Sequence, residues 1–166
     1  MTSHAAPDPQ RHPVALLRAL VEAAPDRREA CLLRILAELE PEAVLSAGLA
    51  LYRRGGQEWF LASTADVLRQ FGPAAWNALL SLCRQAPPEA WAFVPAVADC
   101  PAIDQQARVQ ALLLLAAHPA WNVRERVLEA AASFDSPAQR RLLTAVRDAS
   151  QDDLRIEAEL RLALLG

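Results

Sequence analysis

The sequence predicts an all-α fold, an α-solenoid of about five helix-turn-helix repeats with about ten helices, and three observations lead there. Alanine (35) and leucine (27) fill 62 of the 166 positions, both strong helix formers. Five glycines and a 5% aromatic content leave little from which to build a sandwich or barrel. Prolines recur beside stretches of 3.6-residue apolar spacing, as where helices start and stop. The helices so marked fall into an internal period of 31 residues.

In chain order, residues 1–12 carry Pro7 and Pro9, and no apolar run follows a basic start; the expectation is a flexible tail, not a signal peptide. Pro13 opens a helix at 13–24, Pro25 precedes one at 27–39, and Pro41 precedes one at 42–54. The turn after that helix is assigned to Gly55-Gly56, because no strand precedes the pair as a phosphate-binding loop would require. A helix at 57–71 follows, then Pro73 before 74–86, Pro87-Pro88 before 89–99 and Pro101 before 104–117. Pro119 stands before 121–134, and Asp135-Ser136-Pro137 puts a capping residue ahead of a first-turn proline for 137–149. Ser150, with Asp153 three residues on, reads as the N-cap of a last helix, 152–165.

Blocks of 31 starting at residues 11, 42, 73, 104 and 135 give five units of two helices. The last two match best: Asp104 falls on Asp135, Ala107 on Ala138, Leu112 on Leu143, Leu115 on Val146, Val123 on Leu154 and Arg124 on Arg155. In the earlier units the apolar stripe persists through Leu45, Leu49 and Leu51 and through Leu79, Leu80 and Leu82, but Ala62 and Phe93 replace the recurring arginine. Two short helices cannot bury their stripes against each other alone, so stacked pairs form the core. Leu113 is expected in that core. With no Gly/Ser-rich linker after residue 13, residues 13–166 are read as one solenoid domain.

From Pro119 through Val123-Arg124 to Ala132, then Asp135-Ser-Pro and Leu154-Arg155 to Ala158, the chain resembles bacterial HEAT repeats. In that family a Val-Arg or Leu-Arg pair opens a helix after an acidic turn. The resemblance covers residues 104 to 165 and implies an α-solenoid that binds proteins. HEAT-like solenoids also include DNA base glycosylases and bilin lyases, so an enzyme on such a scaffold stands as the alternative, as does a structural subunit of a larger assembly.

Composition narrows the function. Seventeen basic residues, all arginine, against 20 acidic ones give a net charge of −3, which argues against nucleic acid as partner. The longest apolar run, residues 111–117, is far short of the ~20 residues needed to span a bilayer, so no membrane is expected. Three cysteines, Cys31, Cys83 and Cys100, are an odd number without close spacing and point to a reducing compartment, the cytoplasm. No catalytic residue, metal ligand or cofactor is assigned. Cys83, Cys100 and His118 lie 17 and 18 residues apart, which matches no zinc pattern. A glycosylase-like site would use an acid such as Asp99 or Asp104 near Trp91, but it lacks a basic groove.

The contact surface is therefore placed on the concave second-helix layer and on the C-terminal helix, for a protein partner or a homo-oligomer. Trp59, Trp91 and Trp121 lie 17, 18 and 17 residues after their unit starts. Such spacing fits a row of aromatic anchors and equally rings packed between repeats. Arg124 and Arg155 fit either reception of an anionic group or ion pairing within repeats, since acids are interspersed among them. On the last helix, Leu154, Ala158, Leu162 and Leu165 gather on one side, and Ile156, Leu160 and Leu164 on roughly the other. A helix apolar on two faces requires two neighbours, and the simplest second neighbour is a symmetric copy.

Overall fold

The computed structural model describes residues 11–166. Of the expected tail, residues 1–10 lie outside the described range, and Arg11 and His12 already belong to the first helix. Among the described residues there are ten α-helices and three 3-10 segments, with no strand. The helices group into two compact units, one ending at Phe71 and one spanning Gly72–Gly166.

The first unit holds α1 (Arg11–Glu22), α2 (Pro25–Glu38), α3 (Pro41–Gly55) and α4 (Glu58–Phe71). Pro25 and Pro41 sit inside the first turns, where a missing N–H costs nothing; the helices start one or two residues earlier than the apolar pattern alone suggests. Gly56 ends α3 with φ 67°, and its N–H donates to the Tyr52 carbonyl. α1 packs on α3 and α2 on α4, while α1 pairs with α2 and α3 with α4. First helices thus lie on first helices and second on second, the stacking rule of an α-solenoid. The core holds Leu16, Leu17, Leu20, Ile35, Val44, Leu51, Leu61 and Leu68. Gly48 lets α3 approach α4: a Cβ there would stand 2.0 Å from Thr64 Oγ1.

The second unit contains a 3-10 turn at Gly72–Ala75, α5 (Trp76–Gln85), a 3-10 segment at Pro88–Phe93, α6 (Val94–Ala98), α7 (Gln105–Ala116) and α8 (Trp121–Ala130). A 3-10 turn at Ala131–Ser133, α9 (Ser136–Ala149) and α10 (Asp153–Leu164) complete it. The stacking rule repeats: α5 on α7 on α9, and α6 on α8 on α10. The helix expected at 89–99 is divided, because Pro95 has no N–H to link the 3-10 segment to α6. Asp104 and Asp135, one repeat apart, each cap a helix by accepting from the N–H of the alanine three residues on, Ala107 and Ala138. Ser150 does not cap α10; Asp152 does, accepting from Leu154 N–H.

Within the leucine run of α7, Leu112 and Leu115 are wholly buried and Leu114 is exposed. Leu113, expected in the core, is only partly buried, because a four-residue apolar run covers more of the helix circumference than the neighbours enclose. No helix among the described residues is long and apolar enough to cross a membrane.

Candidate functional site

Large apolar side chains left in water show where the chain has surface to offer. Among the described residues these are Leu33, Trp59, Leu114, Trp121, Ile156, Leu160 and Leu164. Six of the seven lie on second helices of their pairs, on α2, α4, α8 and α10; only Leu114, on α7, does not. Core positions on these helices follow the 3.6-residue stripe that faces the neighbouring pair, so the exposed apolar residues are additional to it.

In the first unit, Trp59 is 58% exposed at the start of α4, its ring edge-on to Phe60 at 6.5 Å. It borders a cleft of about 410 Å³ lined by Val21, Glu22, Arg28, Gln57, Phe60 and Ser63. A second cleft, of about 320 Å³, shares Arg28 and Ser63 and adds Leu20, Leu32, Asp66 and Val67. Both have an apolar floor and a mixed-charge rim, a surface suited to side chains of a protein.

In the second unit the other two tryptophans differ. Trp91 is half-buried under the Arg126 guanidinium, 6.0 Å from its ring centroid, and Arg126 is also paired with Glu129. Trp121 is 42% exposed as the first residue of α8. Equal phase therefore does not mean equal environment: one ring packs against the following repeat and the other is open.

The two arginines at one repeat phase diverge further. Arg124 is buried, and its Nη1 donates to the His118 and Pro119 carbonyls at 2.8 Å, its Nε to Ser150 Oγ at 3.0 Å and its Nη2 to Asp152 Oδ2 at 2.6 Å. It ties the start of α8 to the cap of α10. This corrects the expectation that it contacts a partner, since a guanidinium engaged on four atoms has little left to give. Arg155 is exposed and pairs with Glu159 at 3.1 Å.

The residues weighed for catalysis are held by structural contacts or dispersed. His118 is buried, with Nδ1 accepting from Ala120 N–H and Nε2 against the Ala86 carbonyl at 2.9 Å; this bridges to the end of α5. Burial pushes the Cys83 thiol up to about 12 and the Cys100 thiol upward as well. Asp99 is exposed at the end of α6. Among the described residues no three His, Cys, Asp or Glu side chains gather as metal ligands would. The pattern reading missed Arg108, which donates to the Ile103 and Ala98 carbonyls and lies 5.4 Å from the Phe134 ring centroid. An arginine followed by apolar residues in a helix gives no sign of such a loop anchor.

On α10, Leu154 and Ala158 face inward, while Ile156, Leu160 and Leu164 are 62%, 63% and 86% exposed. The helix is held by Arg161, whose Nη1 donates to the Leu128 carbonyl and Nη2 to Glu157, and by Arg140, which reaches the Leu165 and Gly166 carbonyls. With Arg124 bonded to Asp152 at its start, the apolar strip stands on a helix tied at both ends. Comparison with family models, with curated proteins and with solved structures finds no match for this chain.

Proposed function

We propose that this chain is a protein-interaction module, a scaffold or adaptor that holds a protein partner on its second-helix layer and on α10. The observation that carries the reading is the concentration of exposed large apolar side chains on second helices. Trp59, Trp121, Ile156, Leu160 and Leu164 are the contact residues, with Arg155 at the rim; Trp91 contributes through its neighbours. Rigid apolar anchors of this kind lose little entropy on binding. The pairing of helices, with Val123-Arg124 and Leu154-Arg155 at one phase, supports HEAT-like repeats. Three free cysteines suit a reducing compartment, and we place the protein in the cytoplasm.

A photo-crosslinking amino acid placed singly at positions 59, 121, 160 and 114 tests this in cell extract. Positions 59, 121 and 160 are expected to capture protein, and Leu114, equally apolar but on a first helix, is the control. Capture at 114 as strong as at the other three, or at none of the four, overturns the proposal.

A further inference from the structure

The partner that fits α10 is a second copy of this chain, and this rests on the reading of α10 as a contact surface. One repeat earlier, at the phase of Ile156, Leu160 and Leu164, α8 carries Glu125 and Glu129, and the 3-10 turn after it Ser133. The apolar strip is therefore absent from the preceding repeat. The α8 residues that bond to the α10 segment are Arg124 and Leu128; their counterparts on α10 are Arg155 and Glu159, already paired with each other. One more helix pair stacked in the same way would have to bury that ion pair, a poor exchange.

A second copy meets the strip differently. The segment Arg155-Ile156-Glu157-Ala158-Glu159-Leu160-Arg161 reads alike in both directions, in charge and in apolarity. We propose that two copies of α10 pack antiparallel about a twofold axis level with Ala158. At 1.5 Å rise per residue, Ile156 of one copy then lies beside Leu160 of the other. On one flank Arg155 then comes within two residues, about 3 Å along the axis, of Glu159 of the second copy, and on the other flank Glu157 lies equally near Arg161 of the second copy. All four charged groups are ion-paired along their own helix, Arg155 with Glu159 and Arg161 with Glu157, and Arg161 keeps its bond to the Leu128 carbonyl as well, so they share across the axis without desolvating a lone charge. A twofold contact closes on itself and stops at two. With one helix per copy the interface falls in the small, reversible class, below about 1,200 Å² in total.

Sedimentation equilibrium of the purified full chain, from micromolar to millimolar concentration, decides it. The mass is expected to climb with concentration from 18.1 kDa towards twice that value. Leu160→Glu, at an exposed position, is expected to keep its helical circular dichroism and stay at the single-chain mass. Arg155→Glu is expected to weaken dimerisation several-fold at low salt, and the swap Arg155→Glu with Glu159→Arg to restore it. A chain that remains monomeric throughout, an assembly larger than two, or a Leu160→Glu variant that still dimerises overturns the second copy as partner. If the monomeric chain nonetheless crosslinks another protein from position 160, only this inference falls; if it captures nothing there or elsewhere, the interaction reading falls with it.

Discussion

Replacing Gly48 by alanine sets two effects of opposite sign against each other. In the interior of an exposed helix, glycine is about 1 kcal/mol less favourable than alanine, so α3 by itself gains from the change. The tertiary contact reverses this. A Cβ at residue 48 would lie 2.0 Å from Thr64 Oγ1, 2.6 Å from Cγ2 and 2.8 Å from Cβ, whereas carbon atoms pack at about 3.5 to 4.0 Å. Thr64 is wholly buried on α4, and its hydroxyl donates to the Phe60 carbonyl at 2.6 Å, so it cannot turn away without losing that bond. Overpacking of this kind costs about 1 to 3 kcal/mol, occasionally more; with three contacts below 3 Å the upper end applies, leaving a net destabilisation of about 2 kcal/mol after the propensity gain. Gly55 is the control, because nothing lies within 4 Å of its Cβ position, and Gly55→Ala is expected to be neutral or slightly stabilising. Thr64→Ala removes two of the three clashing atoms, so the double variant with Gly48→Ala should be less destabilised than the sum of the singles, by at least about 0.5 kcal/mol. Urea denaturation followed by circular dichroism measures all four. A Gly48→Ala protein as stable as Gly55→Ala, or strict additivity with Thr64→Ala, refutes the close-approach argument.

Four further outcomes are expected. Leu112→Ala should lose about 2 to 5 kcal/mol, Leu113→Ala less and Leu114→Ala almost nothing, an order that a denaturant series on α7 checks directly. Arg124→Ala should cost about 1 to 3 kcal/mol, since it leaves two carbonyls, and part-exposed Asp152, without their donor, and Arg124→Lys should not rescue it; Arg155→Ala, at the same repeat phase, should change thermal stability little. The Asp135 carboxyl is held below the ordinary carboxylate range by the Ala138 N–H and then by the Gln105 side chain. Its contribution is therefore present at neutral pH, begins to fall where an ordinary aspartate titrates and is lost as the pH drops below that range, so the thermal midpoints of wild type and Asp135→Ala should converge in acid. Thiol-reagent titration of the native protein should modify half-buried Cys31 first and Cys83 last, because burial keeps Cys83 protonated; prompt labelling of Cys83 would show its surroundings open to solvent.

Much of this was legible from the chain alone because it is set by neighbours in sequence. Pro25, Pro41 and Pro137 lie in the first turns of helices, where a missing N–H is harmless. Asp104 and Asp135 cap them through hydrogen bonds three residues long, and Gly56 ends α3 in a conformation that glycine adopts freely. Helix number, pair order and the two-sided apolarity of α10 follow from such local rules and from the 3.6-residue period. What lay beyond them concerns residues that are alike in sequence but not in surroundings. Arg124 and Arg155 share a repeat phase, yet only Arg124 meets a serine hydroxyl and a carboxylate from the following repeat, so one is buried and the other exposed. Leu112, Leu113 and Leu114 are one residue type in a row, and their different burial is decided by which neighbouring helices reach each side of α7. Ser150 reads as a cap, but Asp152 takes that place and leaves its hydroxyl to Arg124. Local chemistry is written in the order of residues; burial belongs to pairs of segments brought together from 26 to 28 positions apart, and only the packed helices assign it.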